Sequence, residues 1–188
     1  MAQTFTPTAG NGIDGAQTTY PMSMDRGNPG QIADNSATRA ISGSNETNAR
    51  IGFGIPVILN SGGVLPNSMT PAVAAGAILG ITIRSEVHEK AGWDATVPYA
   101  EGIPVNQEGG ILTQGSIMLP VFEAVAPGDA LRYFKSGTNA GKWGKTASAG
   151  NSLALAAGGW VIRKAGSAST LLVLEILTPA QLSFTADI

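Results

Sequence analysis

Glycine and proline interrupt this chain so often that helices have little room. The 188 residues include 25 Gly and 11 Pro. After Asn48, few stretches of a dozen residues contain neither of them. Glycine weakens a helix interior because of its backbone entropy, and proline because it lacks an N–H and clashes with the preceding turn. Short strands joined by turns tolerate this spacing. The sequence therefore predicts an all-β fold.

Apolar and alternating runs place the strands. Ala77 to Val87 has the clearest two-residue period, with Ile81 and Ile83 on one face. Further strands are predicted over residues 50–59, 97–105, 110–118, 119–126, 131–134, 153–156, 160–164 and 170–177. Turns are predicted at residues 60–63 and at Ala126–Asp129, and a hairpin loop at 135–142. The even turn spacing predicts a barrel or a sandwich.

Two segments have weaker patterns. The stretch after Pro66 predicts one short helical turn starting at the Thr70-Pro71 pair, because proline is tolerated at the first helical position. The tail from Ala180 to Ile188 keeps apolar residues at even positions. It predicts an edge strand, added either to the chain's own sheet or to a neighbouring one.

The first forty-eight residues, Met1 to Asn48, have neither a helical nor a strand period. They are rich in Gly, Thr, Ser, Asn and Gln, with a few scattered large apolar residues. Fixing one residue's backbone costs about 1–2 kcal/mol, so ordering this segment costs tens of kcal/mol, more than those side chains offset on one small domain. We expect residues 1–48 to form a long extended N-terminal arm buried against other subunits, and residues 49–188 to form the β-domain.

Composition excludes several classes of partner. A formal charge of −2 and a pI near 5.3 leave no cationic footprint for nucleic acid. Cysteine is absent, which excludes disulfides and thiolate metal sites and fits assembly in a reducing cytosol. The N-terminus does not resemble a signal peptide, and no apolar run approaches the ~18 residues of a membrane helix. We expect no nucleic-acid or membrane partner.

The sequence contains no recognisable active site. Gly10, Gly12 and Gly15 match a dinucleotide-binding spacing, but no predicted strand precedes them and no helix follows. His88 is the only histidine and falls on the polar face of its predicted strand, so we interpret it as a surface residue. The carboxylates Glu86, Glu89, Asp94, Glu101 and Glu108 lack paired spacing. We expect no catalytic, cofactor-binding or metal-binding residues.

Tryptophan and aspartate have structural interpretations. Trp93, Trp143 and Trp160 do not interleave with basic residues, as a base-stacking surface requires, so we interpret them as core or interface residues. Asp129 follows a Pro-Gly turn, and we expect it to accept a backbone N–H there.

The order of several segments is more specific than any one of them. The segments are RGNPGQIAD (26–34), IGFGIPV (51–57), AILGITIRSE (77–86), YAEGIPVNQEGGI (99–111), VFEAVAPGDALRYF (121–134) and a C-terminal apolar hairpin. In this order they resemble the structural cement, or head decoration, proteins of tailed bacteriophages over nearly the whole chain. The resemblance implies a small jelly-roll-like sandwich or barrel with an extended N-terminal arm that bridges capsomers. It also implies a virion protein on the outer surface of the major capsid protein lattice, assembled in the host cytoplasm.

The family has no catalytic or cofactor-binding residues, so the resemblance implies none in this chain. Capsid binding carries over only to the matching arm residues, Gly27, Pro29, Gly30, Gln31, Ile32, Ala33 and Asp34. We expect self-association on the capsid surface, and both a dimer and a trimer stay open. Two other classes stay open: a receptor- or carbohydrate-binding β-domain of a phage fibre or adhesin, and an enzyme built around His88 or the Glu86/Glu89 pair.

Overall fold

The computed structural model describes residues 27–65, 67–85, 102–178 and 182–187. Within these ranges the chain forms twelve β-strands and no helix. The strands are β1 (Ile32–Asn45), β2 (Pro56–Leu59), β3 (Ser68–Pro71), β4 (Gly76–Ala77), β5 (Gly80–Thr82), β6 (Glu108–Pro120), β7 (Arg132–Phe134), β8 (Trp143–Gly144), β9 (Ser152–Leu155), β10 (Trp160–Lys164), β11 (Leu171–Ile176) and β12 (Ser183–Ala186). The all-β prediction is confirmed.

The strands form two sheets. The larger has the order β1-β3-β2-β5-β6-β11-β10, and the smaller has the order β4-β12-β9-β7-β8. Because β1 also pairs with β6, the strands β1, β3, β2, β5 and β6 close into a ring. The arrangement is sandwich-like with a barrel-like end, which agrees with the predicted architecture.

Two hydrophobic clusters stabilise this architecture. The larger contains Leu112 and Leu172 of the first sheet and Tyr133 and Leu153 of the second, so it lies between the sheets. The smaller gathers residues of the ring and its loops: Ile51, Phe53, Val57, Met69, Ile103 and Ile111. All of these side chains are buried, and dense packing of this kind makes each sensitive to changes of volume.

The tryptophans that the structure describes are packed as expected. Trp143 is fully buried between the sheets, and its Nε1 donates to the Gly54 carbonyl at 3.0 Å. Trp160 is half-buried, and its Nε1 donates to the Ala156 carbonyl at 2.6 Å. Both indole donors are therefore satisfied. Trp93 lies outside the described residues.

The long strand β6 connects the parts of the first sheet. Its thirteen residues pair with β1 along one edge and with β5 and then β11 along the other. The sequence predicted two strands here, 110–118 and 119–126, interrupted at Pro120. The strand instead runs unbroken from Glu108 to Pro120, and Pro120 occupies its last position, where a missing N–H is tolerated.

Local turn chemistry was predicted well. The Asp129 N–H donates to the Ala126 carbonyl at 3.1 Å, Gly128 has φ of 93°, and the Asp129 carboxylate accepts the Ala126 N–H at 2.9 Å. The hairpin β7–β8 confirms the loop at 135–142, and the antiparallel pair β10–β11 confirms the C-terminal hairpin.

Three local predictions differ from the structure. The helical turn at Thr70-Pro71 is wrong, because both residues belong to β3 and Pro71 pairs with Val57 at the strand end. The predicted strand 77–87 is divided between β4 and β5, and residues 86–101 lie outside the described residues. The tail does add a strand, but β12 lies between β4 and β9 rather than at an edge, since Phe184 packs into the core.

Strand β1 falls in the segment that the sequence assigned to the arm. From Ile32 to Ser44 it pairs with β6 of the same chain, with register irregularities between Ile32 and Ala40. The sequence predicted that contacts with other subunits order this segment, but residues 32–45 make ordering contacts within their own domain. Residues 1–26 lie outside the described residues, and the division at residue 48 stays a prediction.

Candidate functional site

The segment from Gly27 to Asp34 lies against the C-terminal end of β6. Gly30 donates its N–H to the Met118 carbonyl at 2.8 Å, and the Met118 N–H donates to Gln31 at 2.9 Å. On its other side, Gly30 accepts the Arg84 N–H at 2.8 Å. Main-chain hydrogen bonds therefore hold this end of the proposed arm on its own domain.

The residues of this segment divide into packed and exposed groups. Gly30 is buried with φ of 76°, and Gly27 has φ of 152° with the Met118 side chain against its Cα. Asn28, Gln31 and Asp34 are exposed, whereas Pro29, Ile32 and Ala33 are half-buried. We call the segment 27–34 the Gly27 end. Its glycines have structural roles, and its exposed polar side chains are those of Asn28, Gln31 and Asp34.

A second exposed surface lies at the other end of β6. Leu59, Val64 and Leu65, in and beside the loop between β2 and β3, are 59%, 91% and 50% exposed. We call these three residues the hairpin tip. Single exposed apolar residues are common, but a group on one loop is typical of an interaction surface.

The sequence reasoning missed the hairpin tip. It predicted a turn at residues 60–63 and took no account of the two apolar residues that follow. An available signal was the placing of Val64 and Leu65 between Gly63 and Pro66, because a turn rarely buries such side chains.

The hairpin tip is held in place by one carboxylate. Glu46, just beyond β1, accepts the N–H groups of Val64 at 2.7 Å and Leu65 at 3.2 Å. The preceding turn is closed by Asn60, which accepts the Gly63 N–H at 3.0 Å. The exposed side chains are therefore presented by a backbone of fixed shape, which lowers the entropy lost when they bind.

The Glu46 contact should respond to acid. The Ser68 hydroxyl, followed by the backbone N–H groups of Val64 and Leu65, lowers the pKa of Glu46 below its ordinary value of 4.5. A lowered folded-state pKa means that the contact stabilises the loop above the ordinary pKa and is lost as pH falls through the folded-state value. We expect the amide shifts of Val64 and Leu65 to titrate with a midpoint below 4.5, measured by NMR.

The control for this titration is Glu46→Gln, which keeps an acceptor oxygen but cannot ionise. In this variant we expect the amide shifts of Val64 and Leu65 to stay constant over the same pH range. A wild-type midpoint at or above 4.5, or an unchanged titration in the variant, would contradict the role given to Glu46.

The two surfaces are separated by the length of β6. Met118 bonds to the Gly27 end, whereas Ser44, two residues before Glu46, pairs with Glu108. The strand between Glu108 and Met118 spans roughly 30 Å. Since β1 and β6 are paired over most of this length, the two surfaces stand at the ends of one hydrogen-bonded ladder.

Of the histidine and carboxylates considered for catalysis, Glu108 lies within the described residues. His88, Glu86, Glu89, Asp94 and Glu101 lie outside the described residues. Among the residues that are described, no group of three or more His, Asp or Glu side chains is placed to hold a metal ion. The described part of the chain also has no helix long and apolar enough to cross a membrane.

Comparison with known protein families gives a match over most of the chain. The family model described as "Structural cement protein (E217 gp24/Pam3 gp6)" matches residues 16–177. The matched range covers most of the chain and includes both the Gly27 end and the hairpin tip. No curated protein matches the chain.

Proposed function

The chain belongs to the phage structural cement protein family, and on that premise we propose that it binds the outer surface of the major capsid protein lattice and stabilises the head by bridging neighbouring subunits. The observation that carries the bridging role is the placing of two exposed surfaces at opposite ends of the β1–β6 ladder. The role is mechanical and requires no catalytic residue. We place the protein on the virion, after assembly in the host cytoplasm.

In this proposal, the exposed apolar side chains of the hairpin tip bind one capsid subunit. Burying one Val or Leu side chain against a partner contributes about 1.5–3 kcal/mol. The Gly27 end contacts a different capsid subunit through Gln31 and Asp34, while Gly27, Pro29, Gly30, Ile32 and Ala33 shape the backbone that carries them. Two weak contacts on one rigid body raise the overall affinity, because the second contact forms at a high effective concentration.

The proposed arm, residues 1–48, extends this second contact beyond Gly27. The division into an arm and a β-domain of residues 49–188 belongs to the proposal, as does self-association on the capsid as a dimer or a trimer. Since β1 pairs with β6, a truncation that tests the arm has to end at Arg26 and leave the ladder intact.

The apolar contact is tested by Val64→Ser. Replacing a nearly fully exposed valine leaves the core unchanged, so the protein should fold normally, but the loss of apolar burial should weaken capsid binding about 10-fold. The measurement is occupancy of cement-free capsids, by co-sedimentation over a range of protein concentrations, with circular dichroism to check the fold.

Val73→Ser is the matched control. Val73 is also an exposed valine, at 56%, but it follows the opposite end of β3. We expect its variant to bind capsids like the wild type. Equal binding by both variants would exclude the hairpin tip as a capsid contact.

One observation distinguishes this proposal from a receptor- or carbohydrate-binding domain. Such a domain would be expected to present exposed aromatic residues on its loops. The large apolar side chains exposed in the described ranges are Leu59, Val64, Leu65, Val73, Val105 and Leu177. Leucine and valine suit an apolar protein contact better than stacking on a sugar.

A further inference from the structure

Two adjoining depressions lie beside the Gly27 end. The first has a volume of about 350 Å³ and is lined by Gly27, Pro29 and Lys142, among others. It shares Thr170 and Leu171 with a second depression of about 440 Å³. Together they form a surface groove beside Gly27 and Pro29, which we call the lysine groove.

The second depression has a floor of small residues. Val125 and Gly166 exchange two main-chain hydrogen bonds of 2.9 and 3.0 Å there. Ala124, Ala126 and Ala165 are its other small lining residues. Because these side chains project so little, the main chain of an extended partner segment can approach the floor closely.

The groove is positively charged, although the chain as a whole has a net charge of −2. Lys142 lines the first depression, Lys145 and Lys164 line the second, and no lining residue of either is acidic. Lys145 is paired with Asp129 at 3.3 Å. Within the described residues, Lys142 and Lys164 form no ion pair, so their charges are available to a partner.

We propose that the lysine groove binds an extended acidic segment of the major capsid protein, with carboxylates reaching Lys142 and Lys164. This inference rests on the proposed function and names the chemistry of the partner at the Gly27 end. Charge complementarity selects an acidic partner, and the small floor selects an extended main chain. Three lysines without exposed aromatic neighbours are too few for a nucleic-acid surface.

The test is Lys164→Gln in the full chain, with cement-free capsids as the probe. Removing one of the two unpaired groove charges should weaken capsid binding about 3- to 10-fold. The affinity of the variant should also fall less than that of the wild type when salt is raised from about 50 to about 200 mM. Lys164→Arg should retain most of the binding because it keeps the charge. Carbodiimide cross-linking and mass spectrometry should join Lys164 to a capsid Asp or Glu.

Arg163→Gln is the matched control. Arg163 precedes Lys164 on β10, but its guanidinium pairs with Glu175 and does not line the groove. We expect this variant to bind like the wild type. Equal capsid binding by the Lys164→Gln and Arg163→Gln variants would contradict the proposal that the lysine groove binds the capsid protein. The proposed cement role would not be affected by that result. If the wild-type protein itself does not bind capsids, the proposed function is wrong.

Discussion

Replacing Asn45 by Asp should lower the free energy of unfolding by about 3–5 kcal/mol, although the two side chains have the same shape. Asn45 is fully buried, and its Nδ2 donates to the carbonyls of Ala49, Ile103 and Pro104 at 2.9, 3.0 and 3.2 Å. Its Oδ1 accepts the Thr47 N–H at 3.1 Å. In the variant, a carboxylate oxygen would face three carbonyl oxygens, and an unpaired charge would be buried.

The measurement is urea unfolding followed by tryptophan fluorescence. Asn45→Ala should cost less than Asn45→Asp, since it removes the hydrogen bonds without burying a charge. Asn67→Asp is the matched control: Asn67 is exposed and donates to the Ser42 carbonyl at 3.2 Å, so the same change should cost less than about 1 kcal/mol. Similar losses for the two aspartate variants would refute the role of Asn45 in joining β1 to the 103–106 turn.

Replacing Gly30 by Ala should cost about 2–4 kcal/mol of stability. Gly30 has φ of 76°, which an L-residue adopts with strain, and an added Cβ would lie 2.8 Å from both the Gly54 nitrogen and the Phe53 Cβ. The variant must therefore shift the Gly27 end away from Phe53 and Gly54. Capsid binding should fall together with stability, because Gln31 and Asp34 would lose their fixed positions.

Gly128→Ala separates the two causes of this loss. Gly128 has φ of 93°, but an added Cβ would have no atom within 4 Å, so only backbone strain of about 1 kcal/mol applies. Urea unfolding of the two variants measures the difference. If both lose the same stability, close packing at Gly30 is not what fixes the Gly27 end.

The resemblance of this chain to the cement family implied capsid contact for the residues between Gly27 and Asp34. The structure divides these residues into packed and exposed ones. Gly27 and Gly30 are explained by packing within the chain, whereas Gln31 and Asp34 remain exposed. No pattern in the sequence could separate the two groups, because the difference depends on β6, which lies more than seventy residues further along the chain. The lysine groove was equally hidden, since its three lysines come from different loops and strands.

The sequence by itself determined the all-β class, the Ala126–Asp129 turn, the C-terminal hairpin and the family. These features depend on neighbouring residues or on the order of short segments, which a linear chain displays directly. Only the tertiary structure decided that β1 pairs with β6, that five strands close into a ring, and that Val64 is exposed while Val57 is buried. Those outcomes depend on contacts between distant segments, and residue type or local period does not encode such contacts.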